Sequence, residues 1–150
     1  MAQVLRQRLQ REGANKLVLF GYSGGGVLAV LLANRLPQTS VVVTLAANLD
    51  IDAWADLHGY SRLSGSLNPA VEPALDSAIV QLHLVGGRDS NVRSTSRQSY
   101  LRIQPEAQAV VIPGYDHVCC WRDLWPKVLE WVAIAGIDPT DQRVLRFLSH

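Results

Sequence analysis

The chain contains four short apolar segments in which hydrophobic and polar residues do not alternate strictly. Continuous apolar runs of this kind are typical of strands that are buried on both faces, as in a parallel sheet covered by helices. We therefore predict four buried strands, which are Lys16–Phe20, Ser40–Ala46, Ile79–Val85 and Ala107–Ile112.

The segments around these runs carry patterns typical of helices. Gly13 stands where the first helix should end and Pro37 follows the second, since both residue types stop helices. Strands that alternate with helices indicate an α/β fold, a parallel sheet of about four strands with flanking helices. The predicted helices are Ala2–Glu12, Val27–Leu36, Val92–Arg102, Trp121–Val132 and Asp138–Leu148. The fourth has an apolar face and contains Pro126, which a helix tolerates only near its first turn.

A length of 150 residues suits one domain, and we assign residues 1–150 to a single domain. The segment Asn48–Asp76 is irregular and contains several glycines and prolines. We interpret it as a long excursion within that domain, with one helical turn around Trp54, and not as a linker between domains.

Composition excludes several classes of protein. Apolar residues make up 48% of the chain and charged residues 18%, which excludes disorder. A formal net charge of +1 disfavours a nucleic-acid-binding module. The longest apolar run, Val27–Ala33, is much shorter than the roughly 18 residues of a membrane span, and Met1–Glu12 has no signal-peptide core. We therefore expect no transmembrane segment and a cytoplasmic location.

The two cysteines, Cys119 and Cys120, are neighbours in the sequence. Adjacent cysteines rarely form a disulfide, because the geometry strains the peptide, and two thiols at this spacing are not a zinc motif. We expect both to be small free side chains of the interior. No metal and no cofactor is predicted for this chain.

The strongest chemical signal is a G-x-S-x-G pattern at Gly21–Gly25, with Ser23 at its centre. A predicted strand leads directly into it and a predicted helix leads out, which is the context of a nucleophile elbow. The amide of Gly24, at the helix N-terminus, would be one donor to an oxyanion. The alternatives are a serine that only caps the helix and a phosphate loop, which lacks its lysine here.

A serine nucleophile needs a base, and the chain has four histidines. His117 follows the fourth predicted strand by a few residues, in a loop from which a side chain reaches back over the carboxyl edge of the sheet. We therefore predict His117 as the base. The other three occupy less suitable places, with His58 in the irregular segment, His83 inside the third strand and His150 at the terminus.

The third member of such a site is a carboxylate that orients the imidazole. Asp89 follows the third strand, 28 residues before His117, and is favoured. Asp50 follows the second strand and is the rival, since the carboxyl ends of parallel strands share one edge of the sheet. Asp116 is a poor candidate, because adjacent side chains diverge.

Several neighbouring side chains have two interpretations each. Tyr22 either lines a substrate pocket or packs on the elbow. Trp54 and Trp121 either form an apolar pocket or belong to the core, where aromatic residues are more often found. Arg88 and Arg93 flank the acid loop and either bind a substrate carboxylate or lie on the surface, which is the commoner case for arginine.

Three segments resemble the α/β-hydrolase superfamily, namely GYSGGG at 21–26, LVGGRDSNV at 84–92 and IPGYDHVCCW at 112–121. The resemblance extends over almost the whole chain and indicates the superfamily, but it says little about the substrate. It implies a triad in which Ser23 is the nucleophile, Asp89 the acid and His117 the base.

The departure from the superfamily pattern is on the N-terminal side. The elbow normally follows five strands, whereas here it follows one. The chain therefore resembles the C-terminal catalytic half of such an enzyme, apparently truncated, and the loop that usually supplies the second oxyanion donor has no counterpart before Ser23. The Lys16–Phe20 strand would have an unpaired edge, which favours a homodimer.

Together these features predict a serine hydrolase that cleaves an ester, thioester or amide of a small-molecule acyl substrate through an acyl-serine intermediate. Two alternatives stay open. One is an acyltransferase that uses the same intermediate. The other is a non-catalytic remnant or fragment of the hydrolase fold that acts by binding.

Overall fold

A computed structural model of the protein describes residues 1–135. The predicted helix Asp138–Leu148 and His150 lie outside the described residues. The observed elements, in chain order, are α1 (Ala2–Glu12), β1 (Leu17–Tyr22), α2 (Gly24–Ala33), β2 (Thr39–Leu45), α3 (Ile51–His58), β3 (Val80–Gly86), a 3-10 helix (Ser94–Arg97), α4 (Gln98–Ile103), β4 (Gln108–Ile112) and α5 (Trp121–Ala135).

The strands form one parallel sheet in the order β1-β2-β3-β4. Each strand pairs with the next one along the chain, so the intervening segments are crossover connections. The carboxyl ends of all the strands consequently meet at one edge of the sheet. The predicted fold class, a parallel sheet of about four strands with flanking helices, is confirmed.

Helices cover both faces of this sheet. The valines of β2 show the two layers, because successive side chains of a strand point to opposite faces. Val41 and Val43 pack with Trp121 and Val128 of α5 on one face, whereas Val42 packs on the other face with α2 and Tyr100 of α4. Both sets of positions are buried in β2, and β3 is buried in the same way.

The outer strands bury one residue each, Gly21 in β1 and Ile112 in β4. The prediction of strands buried on both faces is therefore correct for the two central strands and wrong for the two outer ones, which have a neighbouring strand on one side only in the described sheet.

Several predicted helices differ from the observed ones. α2 begins at Gly24 and not at Val27, because the glycines form the first helical turn instead of a loop before it. The crossover predicted as Val92–Arg102 is divided between the 3-10 helix and the short α4. The single turn predicted around Trp54 is the eight-residue helix α3.

α5 is a helix of 15 residues, with Pro126 inside it. The proline lies in the second turn and not in the first, so the helix lacks one backbone hydrogen bond there. Among residues 1–135, no helix combines the length and the apolarity that a bilayer crossing requires.

The expectation of free cysteines is wrong. Cys119 and Cys120 are joined to each other in a disulfide, and the peptide bond between them is cis.

Candidate active site

The elbow places Ser23 at the carboxyl end of β1. β1 ends at Tyr22 and α2 begins at Gly24, so one residue makes the turn. Ser23 has φ 50° and ψ −126°, a backbone conformation that costs free energy in a residue other than glycine. Its amide donates a hydrogen bond to the carbonyl of Leu45 at 2.9 Å, which fixes the turn against the end of β2.

Two glycines of the motif allow the close packing that this turn requires. A Cβ atom at Gly21 would collide with the backbone of Gly25 and Gly26, and one at Gly26 would collide with the side chain of Ala47. A Cβ atom at Gly24, in contrast, would meet nothing within 4 Å. Gly24 is therefore not required by close packing in this structure, unlike Gly21 and Gly26.

The fold brings Ser23, His117 and Asp89 together from three loops. The Oγ of Ser23 lies 3.1 Å from Nε2 of His117, and Nδ1 of the same ring lies 2.9 Å from Oδ2 of Asp89. The side chain of Asp89 is 0% exposed and that of His117 is 21% exposed. A buried carboxylate behind a partly exposed imidazole that faces a hydroxyl is the arrangement that general-base chemistry needs.

The second oxygen of the Asp89 carboxylate is held by the backbone. Oδ1 accepts hydrogen bonds from the amides of Asn91 at 2.9 Å and Val92 at 2.8 Å. These bonds fix the rotation of the carboxylate, so that Oδ2 remains directed at His117.

The acid loop after β3 and the histidine loop after β4 are in direct backbone contact. The amide of Gly87 donates to the carbonyl of Ile112 at 2.8 Å, and the amide of Arg88 donates to that of Tyr115 at 2.9 Å. A Cβ atom at Gly86 would lie 2.5 Å from the carbonyl oxygen of Tyr115. The consecutive glycines thus set the separation of the two loops, and with it the distance between the acid and the base.

The rival carboxylate, Asp50, has different partners. It accepts the amide of Ala53 at 3.1 Å, the side-chain amide of Asn68 at 3.0 Å and the hydroxyl of Ser99. Burial raises the pKa of Asp50, but the hydrogen bonds from Ser99, Asn68 and the backbone outweigh it, so the pKa is lower than the ordinary value. Asp50 is therefore the N-cap of α3 and ties that helix to Asn68, later in the excursion, and to Ser99 of α4.

The other described histidines bind to the protein framework. His83 is 1% exposed, and its Nδ1 lies 2.9 Å from the hydroxyl of Thr44. Burial and the nearby charge of Arg97 lower the pKa of His83 to about 3, so its ring is neutral. His58 Nε2 lies 2.8 Å from the carbonyl of Asn91. In the part of the chain that the structure describes, no group of three His, Cys, Asp or Glu side chains could hold a metal ion.

A small cavity of about 370 Å³ lies next to Tyr22, the residue before Ser23, and its walls are almost entirely apolar. It is lined by Tyr22, Leu45, Trp121, Arg122 and Trp125. Of the two tryptophans considered for a pocket, Trp121 lines this cavity. Trp54 packs instead against the rings of His58 and Tyr60.

The arginine of the acid loop has a structural partner. The guanidinium of Arg88 donates a hydrogen bond to the carbonyl of Gly114 at 2.8 Å. This bond adds a side-chain link to the backbone contacts between the acid loop and the histidine loop.

Tyr22 reaches from the elbow to the histidine loop, a contact that sequence reasoning missed. Its hydroxyl donates to the carbonyl of His117 at 2.6 Å, and Nε1 of Trp121 donates to the same carbonyl at 3.1 Å. The Trp121 contact spans only four residues, but His117 lies before the start of α5, so no helical pattern predicts it. Burial and the charges of Asp89 and Asp116 raise the pKa of Tyr22, which keeps its hydroxyl protonated and able to donate.

Comparisons with known proteins identify the fold. No protein-family model matches the chain, and no curated protein matches it in sequence. Solved structures do match it. An α/β-hydrolase enzyme, MGS-MChE2, from the metagenome of sediments of the Mar Chica lagoon in Morocco has a TM-score of 0.64 and 16% identity, over 90% of this chain and 69% of that chain.

Two esterases are similar in the same way. The esterase domain of a Rhodothermus marinus protein has a TM-score of 0.63 and 17% identity, over 89% of this chain and 65% of that chain. An esterase of Pyrococcus furiosus has a TM-score of 0.58 and 16% identity, over 99% of this chain and 62% of that chain.

The chain thus spans about two thirds of the length of these structures. At such low sequence identity, the likeness concerns the fold. The resemblance that the three motifs indicate is confirmed at this level, and the chain has an α/β-hydrolase fold.

Proposed function

We propose that this protein is a serine hydrolase that cleaves an ester, thioester or amide of a small-molecule acyl substrate through an acyl-serine intermediate. The observation that carries the proposal is the hydrogen-bond chain from the Ser23 hydroxyl through His117 to Asp89, located at a nucleophile elbow. Proteins of similar fold described as esterases or hydrolases add support.

The proposed chemistry assigns one role to each of these side chains. Nε2 of His117 takes the proton of Ser23 as Oγ bonds to the acyl carbon, and the electron pair of the carbonyl moves to its oxygen. We assign the amide of Gly24, at the N-terminus of α2, as a donor to that oxyanion. As the intermediate collapses, the imidazolium gives its proton to the leaving group, and Asp89 holds the ring in the required tautomer. Water then repeats the sequence on the acyl-serine.

The apolar cavity beside the elbow favours an apolar group in the substrate. Its walls include the rings of Trp121 and Trp125, and almost no polar surface lines it. Burial of an apolar acyl or alcohol group against such walls contributes roughly 25 cal/mol per Å². We therefore propose substrates with an apolar substituent of modest size.

Labelling with a fluorophosphonate probe tests this function, because the probe reports an activated serine whatever the substrate. We expect the wild-type protein to be labelled at Ser23 and the Ser23→Ala protein to be unlabelled. Ser64→Ala is the matched control, since Ser64 is exposed in the excursion, and it should be labelled like the wild type. A folded wild-type protein without labelling, or equal labelling of Ser23→Ala, would contradict the proposal.

Two alternatives make different predictions. An acyltransferase would pass the same acyl group from Ser23 to an added alcohol in preference to water, which product analysis distinguishes. The second alternative is a hydrolase-fold remnant that acts by binding. It predicts a cooperatively folded protein that the probe does not label.

We also propose a homodimer through the Lys16–Phe20 edge. In the described sheet β1 pairs with β2 alone, and α1 buries none of its residues. The amides of Leu17 and Ser23 donate towards β2, so the alternate amides of Val18 and Phe20 point outward from the sheet. An apolar edge of this kind pairs readily with a second copy about a two-fold axis.

Sedimentation at several protein concentrations tests the dimer. We expect the wild-type protein to dimerise and Val18→Pro, which removes an outward N–H and leaves the pairing with β2 intact, to be monomeric. Leu19→Pro is the contrasting variant, because it removes an amide that faces β2 and should destabilise the fold. A wild-type monomer at every concentration would refute the proposal.

A further inference from the structure

The backbone carbonyl of His117 accepts hydrogen bonds from two side chains of different elements. The hydroxyl of Tyr22, at the end of β1, donates at 2.6 Å, and the indole Nε1 of Trp121, at the start of α5, donates at 3.1 Å. The Tyr22 ring also lies against the imidazole, with centroids 5.4 Å apart. The residue proposed as the base is therefore held at its main chain and along one face of its ring.

The hydrogen bond from Tyr22 starts at the elbow itself, because Tyr22 is the residue before Ser23. The bond joins the elbow directly to the histidine loop across 95 residues of sequence. Apart from the contact between His117 and Ser23 itself, the other bonds of this loop lead elsewhere. Oδ1 of Asp116 accepts the amides of Val118 at 2.9 Å and Cys119 at 2.8 Å within the loop, and further bonds join the loop to the acid loop. Those bonds shape the loop but do not set its distance from the elbow.

We propose that Tyr22 and Trp121 are positioning residues that hold His117 at hydrogen-bond distance from Ser23. The inference rests on the proposed serine-hydrolase function and adds to it. Neither side chain takes part in proton transfer, since each donates to a main-chain carbonyl. Their effect is to keep Nε2 of His117 aligned with the Ser23 hydroxyl, and alignment within about 1 Å is worth up to about 10²-fold in rate.

This role differs from a place in the substrate pocket. A residue that only lines the apolar cavity would change KM, by an amount that varies with the size of the substrate. A residue that positions the base lowers kcat by the same factor for every substrate and slows fluorophosphonate labelling by that factor. The variant Tyr22→Phe distinguishes the two roles, because it keeps the aromatic ring that lines the cavity and removes the hydroxyl that donates to His117.

The experiment compares Tyr22→Phe, Trp121→Phe and the double variant with the wild type. Tyr60→Phe is the control, since Tyr60 is 58% exposed in the excursion. We expect kcat and the labelling rate to fall about tenfold or more in Tyr22→Phe, with KM within about twofold, and to fall further in the double variant. Tyr60→Phe should equal the wild type.

A second measurement needs no activity. The Nδ1–H proton that His117 shares with Asp89 should give a downfield proton NMR signal in the wild-type protein and in Tyr60→Phe. In Tyr22→Phe, we expect this signal to broaden and the amides of residues 115–120 to exchange faster with solvent. Thermal unfolding measured on the same samples shows that each variant is folded.

The outcomes are distinct. An unchanged His117 signal and unchanged kcat in Tyr22→Phe would overturn the positioning role, and a rise in KM alone would assign Tyr22 to the pocket. Absence of labelling in the wild-type protein would refute the serine-hydrolase function. In that case the NMR and exchange data still decide whether Tyr22 holds His117 in place.

Discussion

The loops after β2 and after β3 present aspartates in nearly the same way, yet the two carboxylates have different partners. Asp50 and Asp89 each follow a parallel strand, and as whole residues they are 9% and 5% exposed. Oδ1 of each accepts a hydrogen bond from the amide of the residue three positions later. The difference lies at Oδ2. That of Asp50 accepts the hydroxyl of Ser99, whereas that of Asp89 lies 2.9 Å from His117.

Strand order explains this difference. β3 is the neighbour of β4, which pairs Gly86 with Ile112, so the loops that continue from these two strands contact each other. The loop after β2 lies one strand further away and starts α3 instead. Two loops with the same local hydrogen bonding thus differ in role through the tertiary neighbour that the sheet provides.

Removal of the charge from each carboxylate should give the largest difference in turnover between variants of the two loops. We expect Asp89→Asn to lower turnover by up to about 10⁴-fold, because an asparagine in this place favours the wrong imidazole tautomer. Asp50→Asn should change turnover by less than about threefold, because the partners of Asp50 are Ala53, Asn68 and Ser99 and not His117. Ester turnover and the rate of fluorophosphonate labelling measure both variants. A larger loss of turnover in Asp50→Asn than in Asp89→Asn would show that Asp50, in the loop after β2, is the acid.

A methyl group at Gly86 should have the next largest effect. A Cβ atom there would lie 2.5 Å from the carbonyl oxygen of Tyr115, so Gly86→Ala must push the histidine loop away from the acid loop. We expect turnover to fall by about 10²-fold and the free energy of unfolding to decrease by roughly 1–3 kcal/mol.

Gly114→Ala is the matched control for that variant. Gly114 lies in the same histidine loop, and a Cβ atom there would meet nothing within 4 Å. Its free energy of unfolding should stay within roughly 0.5 kcal/mol of the wild-type value. Equal turnover in Gly86→Ala and the wild type would show that the spacing of the two loops does not control the site.

The comparison also shows how far the sequence determines the site. The strands were predictable because their apolar runs are continuous, and the elbow was predictable because G-x-S-x-G lies between a strand and a helix. Asp50 and Asp89 differ through contacts between strands, which local sequence does not encode. The same holds for the bond from Tyr22 to His117, which joins residues 95 positions apart. The disulfide between Cys119 and Cys120 was missed because cysteines that are neighbours in sequence rarely bridge.

The capping role of Asp50 should appear in stability and not in catalysis. Asp50→Ala removes the acceptor for the amide of Ala53 and for the side chains of Asn68 and Ser99. We expect the free energy of unfolding to decrease by about 1–2 kcal/mol, with kcat of the folded enzyme unchanged. Urea unfolding and steady-state kinetics on one preparation check both parts. A large loss of kcat in a stable protein would assign Asp50 to the active site after all.

The smallest effect that we expect is in the pH dependence of stability. The pKa of Asp50 in the folded protein is lower than the ordinary value of 3.8, because hydrogen bonds to the carboxylate outweigh its burial. The unfolded chain therefore binds the proton first as the pH falls, so the stabilisation is complete well above pH 3.8 and is lost as the pH falls through the lowered pKa.

Asp50→Asn tests this linkage, because asparagine keeps an acceptor for the cap and cannot titrate. Below about pH 4, the free energy of unfolding should fall less steeply in this variant than in the wild type, with a difference of no more than roughly 1 kcal/mol. Urea unfolding at pH 7, 4.5 and 3 measures it. Parallel curves would show that the hydrogen bonds from Ser99 and Asn68 stabilise the charged and the neutral carboxyl equally, and that Asp50 acts on α3 through its shape as a cap and not through its charge.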